Sequence, residues 1–131
     1  MSGSINQLRT PLSKVRGLGS AKEGTDHFWR QRLTAIANVP LILFFLWTVI
    51  SLNGASHADV VARLSSPIVA IVMLMVIIVG IVHMKLGMQT IIEDYVHSNR
   101  TKIVLLILNI FFAFTMGLGA CFAILKLAFG G

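Results

Sequence analysis

The sequence predicts an all-α membrane protein whose three transmembrane helices pack with helices of another polypeptide into a bundle. Of its 131 residues, 56% are hydrophobic and only 12% are charged. That is more apolar surface than a globule of this size can hide. The runs Leu33–Ser56, Leu64–Met84 and Ile103–Leu125 contain no Asp, Glu, Lys or Arg. Each approaches or exceeds the roughly 20 residues that cross the hydrocarbon layer as a helix. Three spans make little of a closed bundle, and Gly80, Gly87, Gly117 and Gly119 supply small contact points for close helix packing.

Taken in order, residues 1–30 form a polar, basic lead. Arg9, Lys14, Arg16, Lys22 and Arg30, with Arg32 just beyond, outnumber Glu23 and Asp26. The net charge of +6 is thus concentrated beside the first span, which fits anionic lipid headgroups and a cytoplasmic flank, not nucleic acid. Residues 1–22 lack acids and read as a retained tail lying on a partner or the membrane surface, in preference to a cleaved transit peptide. Thr25 or Asp26 is expected to cap the first helix, with Trp29 at the interface.

The first span is placed at 31–53. Pro40 near its middle permits a kink, because neighbours satisfy the freed carbonyl. Asn53-Gly54 ends it, and a polar loop at 54–64 carries His57, Asp59 and Arg63 on the far side. The second span, 66–94, opens with Pro67 in the first turn. At 1.5 Å per residue it reaches roughly 42 Å, longer than the hydrocarbon layer, so it tilts or protrudes. His97 to Lys102 turn the chain into a third span at 102–127. The charge balance puts the N-terminus inside and the C-terminus outside.

His83 lies within hydrocarbon on the second span. An imidazole there must hydrogen-bond across to another helix, line a wet cavity, or bind something such as a metal or haem. Gly80 and Gly87 fall within about 60° of it around the helix, leaving a flat recess for a macrocycle or for another backbone. Met73, Met75 and Met116 read as core fillers. His27, His57 and His97 lie at other depths, so a second axial ligand for haem would come from a different polypeptide. Cys121 is alone, which excludes an internal disulfide.

Asp94 falls about 20° from His83 in projection, and Tyr95 about 18 Å along the axis, near the headgroups. A tyrosine hydroxyl beside a carboxylate can hold a quinone carbonyl and its proton path. An interfacial aromatic with a solvated acid is the plainer alternative. Lys85 is expected to snorkel to the headgroups.

The string His83-x3-Gly87…Asp94-Tyr95 at the end of the second of three spans resembles the smaller membrane-anchor subunit of succinate dehydrogenase. The stretch "GLGSAKEGTDHFWRQRLTAIANVPL" is similar to the alphaproteobacterial version. The resemblance implies a cytoplasmic N-terminal segment at 1–30 and a three-helix transmembrane anchor at 31–131, packed with a second anchor subunit in the bacterial inner membrane. It implies that His83 is an axial ligand of haem b iron, shared with that second anchor, the cytochrome b556 subunit. It further implies that Arg32 lies near the haem propionates, where a guanidinium fork suits a carboxylate, and that Tyr95 and the adjacent Asp94 belong to the ubiquinone site. Flavoprotein and iron–sulfur subunits would dock on the cytoplasmic face. The family pattern can also place a histidine before Phe28 near the propionates; here His27 stands there, preceded by Asp26, and no part is assigned to it. With no flavin or iron–sulfur motif, the chain is expected to be inactive alone. An anchor of fumarate reductase, running the reaction in reverse, and a non-catalytic scaffold or transporter subunit are the alternatives. The charge-free spans weigh against a transporter.

Overall fold

The computed structural model describes residues 10–15 and 23–130. The expectation of a basic tail on a partner or membrane surface therefore falls largely outside the described residues. Five helices follow in order: α1 (Pro11–Val15), α2 (Glu23–Ser51), α3 (His57–Leu64), α4 (Pro67–Tyr95) and α5 (Asn99–Ala128). Three of them, over Gly24–Ser51, Pro67–Tyr95 and Asn99–Ala128, are long and apolar enough to cross a membrane.

The first long helix starts earlier than the sequence reading placed it. Thr25 and Asp26 lie inside the first turn of α2 and do not cap it. Asp26 still favours this end, since a carboxylate there faces the positive end of the helix dipole. The helix runs through Pro40, which lacks the N–H that would otherwise reach the Ile36 carbonyl. Gly54 closes the turn after α2 with a φ of +77°, a left-handed conformation that glycine adopts without steric cost.

Most of the loop expected at 54–64 is a helix instead, α3 at His57–Leu64. Ser56 and Asp59 form a reciprocal capping box: the Ser56 hydroxyl accepts from the Asp59 amide, and the Ser56 amide donates to the Asp59 carboxylate. This pair satisfies donors that the first turn leaves orphaned, which is what turns a short polar stretch into α3. Leu64 anchors it in a small core with Ala70, Met73 and Ile124. The Arg63 guanidinium lies 4.9 Å from the ring centroid of Trp47, joining α3 to the end of α2 by a cation–π contact.

The long helices form an open layer and not a triangle. α4 packs against both α2 and α5, whereas α2 and α5 make no direct packing contact among the described residues. Only 11% of each span's most apolar stretch is buried within this chain. Phe111, Phe114, Phe122, Ile36 and Ile50 all stand exposed. So much uncovered apolar surface requires lipid or other helices around it.

Candidate cofactor-binding site

One polar level crosses all three long helices. On α2, the Thr34 hydroxyl lies 3.0 Å from Nδ1 of His83 on α4. Two residues further along α4, the Lys85 carbonyl accepts a 2.9 Å hydrogen bond from the Asn109 amide on α5. Residues two apart on a helix face nearly opposite ways, so His83 serves the α2 side and Lys85 the α5 side. Asn109 is buried, and its bond meets the need of a polar group held in an apolar layer.

His83 is half-buried, and its Nε2 takes no hydrogen bond among the described residues. It borders a recess of about 300 Å³ together with Phe28, Gln31, Arg32 and Ala35. The structure thus brings Arg32 and His83 to one concavity between α2 and α4. The Arg32 guanidinium rests 4.5 Å from the Phe28 ring centroid and forms no ion pair among the described residues. Beside His83, a side chain added at Gly80 or Gly87 would meet nothing within 4 Å. These glycines face open space. Of the four expected contact points only Gly117 touches another helix, where an added Cβ would lie 3.5 Å from Ile81. His27 shares the Thr34 face of α2, seven residues away. Its Nε2 is buried and has no hydrogen-bond partner among the described residues.

Tyr95 occupies a different place. It lines a groove of about 410 Å³ between α4 and α5, with Met84, Met88, Asn109 and Phe112. This groove lies about 120° around α4 from His83. Asp94 is exposed on the His83 side, and no hydrogen bond joins it to Tyr95 among the described residues. Lys85 borders a second apolar α4–α5 groove with Ile81, Gly117 and Cys121.

Comparison with known proteins decides the family. The sequence profile described as "Succinate dehydrogenase/Fumarate reductase transmembrane subunit" matches residues 6–117. The chain belongs to this family. It is 31% identical over 121 residues to the succinate dehydrogenase hydrophobic membrane anchor subunit of Paracoccus denitrificans, covering 92% of this chain and 93% of the relative. The corresponding subunit of Rickettsia bellii is 34% identical over 76% of this chain and 80% of its own length. The succinate dehydrogenase membrane anchor subunit of Reclinomonas americana is 36% identical over 63% and 72%. No solved structure matches the chain significantly. Within this transmembrane-subunit family, the chain is a multi-pass membrane protein.

Two residues of the polar level were not singled out from the sequence of this anchor. Asn109 had a signal: it is a lone amide inside "IVLLILNIFF", and polar residues in spans usually have a partner. Thr34 had none, because a threonine can bond its own helix backbone and pass unnoticed.

Proposed function

We propose that the chain is the membrane-anchor subunit of a bacterial succinate:quinone oxidoreductase (respiratory complex II). In this reading the N-terminus is cytoplasmic, the chain lies in the inner membrane, and it is inactive by itself. A second anchor subunit of the cytochrome b556 type covers the open helix layer. Iron–sulfur and flavoprotein subunits sit on the cytoplasmic face and deliver electrons from succinate oxidation.

One observation carries the reading: His83 and Arg32, far apart in sequence, line the same recess in a chain of this family. The residues fit haem b. His83 keeps Nε2 without a hydrogen bond among the described residues, and imidazole is a good ligand for haem iron. The glycines at 80 and 87 leave the adjacent face flat. Arg32 is unpaired among the described residues, and its fork suits a carboxylate such as a propionate. In this reading His83 is the single ligand from this chain, and the second comes from the other anchor. When bound, haem b supplies a one-electron redox centre near the quinone.

At the cytoplasmic end, Tyr95 donates its hydroxyl to a ubiquinone carbonyl, and Asp94 belongs to the surroundings through which protons arrive. Tyr95 is 77% exposed, so it is available to a quinone bound between this chain and its partners. The family description covers both succinate dehydrogenase and fumarate reductase. The three relatives described above are all named for the former, which favours succinate oxidation.

The test is purification from detergent. Native complex should carry flavoprotein, iron–sulfur and second anchor polypeptides and show a haem Soret band. A His83→Ala complex should lose or shift that band. A colourless native complex, or an unchanged band in His83→Ala, would overturn the assignment of His83.

A further inference from the structure

Resting on the haem reading above, we propose that Thr34 is a positioning residue for His83. Its hydroxyl fixes which ring nitrogen carries the hydrogen and which way the ring faces. The Thr34 Oγ1 lies 2.8 Å from the Arg30 carbonyl oxygen and 3.0 Å from that of Gln31. It also lies 3.0 Å from Nδ1 of His83. A hydroxyl has a single hydrogen to give. If that hydrogen went to the ring, two oxygens would face each other at 2.8 Å with only lone pairs between them. The hydrogen therefore points to the backbone, shared between the Arg30 and Gln31 carbonyls, the back-bond that threonine commonly makes within a helix.

With its own hydrogen committed, Oγ1 accepts, and Nδ1 of His83 must be the N–H. A neutral imidazole protonated at Nδ1 keeps its lone pair on Nε2, the form that binds a metal. The same bond holds the orientation of the ring, because Gly80 and Gly87 on its flanks offer no side chain to lean on. Metal-bound histidines generally give their second N–H to a fixed acceptor, and losing that acceptor typically costs roughly 10- to 100-fold in affinity or activity. Here the acceptor comes from a different helix. The packing of α2 on α4 and the readiness of His83 to bind are thus one arrangement.

The experiment compares assembled complexes carrying wild-type chain, Thr34→Val, Thr34→Ser and His83→Ala. The readouts are haem per complex, haem midpoint potential and the highest g value of the oxidised low-spin haem. Valine keeps the shape and removes the acceptor. Thr34→Val should lower haem affinity about 10- to 100-fold, raise the midpoint potential through a less electron-rich imidazole, and move the g value as the ring turns. Thr34→Ser should restore all three. If Thr34→Val matches wild type in every readout while His83→Ala does not, the proposal for Thr34 falls and the haem reading stands. If His83→Ala also matches wild type, the haem reading falls and takes the proposal with it. Should Thr34→Val not assemble, Thr34→Ala supplies the same comparison.

Discussion

The Thr34 hydroxyl and Nδ1 of His83, 49 positions apart in sequence, meet at 3.0 Å across the α2–α4 contact. Two residues further along α4, the Lys85 carbonyl is bound by Asn109 from the opposite side. α4 is therefore joined to both neighbours at one depth. In an apolar medium, where contact between greasy faces gains little, such bonds fix how helices register against each other.

Replacing Asn109 with Leu should loosen α5 from α4. Membrane hydrogen bonds of this kind are worth about 0.6 kcal/mol on average and up to about 1.7. The assembled complex should melt at a lower temperature in detergent while His83, on the other side of α4, keeps its spectral signature. A melting temperature equal to wild type would show that the Asn109–Lys85 bond adds nothing to the α4–α5 contact.

Gly117 and Gly87 should respond oppositely to bulk. A Cβ at Gly117 would touch Ile81 at 3.5 Å, an ordinary contact, so Gly117→Ala should be tolerated. Gly117→Leu should overpack the α4–α5 contact, at a cost of about 1–3 kcal/mol. At Gly87 a side chain meets nothing within 4 Å in this chain. Gly87→Leu should leave the chain's own packing intact and lower the haem content of the complex. Full haem occupancy in Gly87→Leu would contradict a flat face reserved for the ring.

Tyr95→Phe removes one hydroxyl from an exposed position and should leave assembly unchanged. Quinone reductase activity should fall and the KM for ubiquinone should rise. Succinate oxidation measured with a soluble dye acceptor should stay the same. If ubiquinone kinetics matched wild type, Tyr95 would be an interfacial anchor only.

Asp59 should titrate below the ordinary carboxylate value of 3.8, because the Ser56 hydroxyl, and then the Ser56 amide, donate to its charged form. Its folded pKa is depressed, so the support that it gives α3 is complete above the unfolded value. That support is lost as pH falls through the folded value. A chemical-shift titration in micelles checks this, and Ser56→Ala should bring the midpoint back up. A native midpoint at or above 3.8 would show that the capping box does not hold in solution.

Much of this was legible from residue types alone. Three charge-free runs fixed the number of long helices, since only a helix satisfies its backbone within hydrocarbon. Pro67 marked where α4 starts, and Asn53-Gly54 marked the turn after α2. The short helix α3 was missed because its stability comes from a reciprocal Ser56–Asp59 pair, which composition reads as a polar loop. The start of α2 was placed a few residues late because Thr25 and Asp26 are residue types that cap helices, whereas here they lie within its first turn.

By itself the sequence determined a three-span membrane chain with a histidine in its second span, because so much apolar surface leaves few physical alternatives. Only the tertiary structure decided that α4 is the central helix and that Arg32 shares a recess with His83 while Tyr95 looks into another groove. It also decided that Thr34 is the partner of the ring. Those relations depend on how helices turn and register against one another, and in a uniformly greasy sequence that is set by a few hydrogen bonds between distant residues and not by any pattern along the chain.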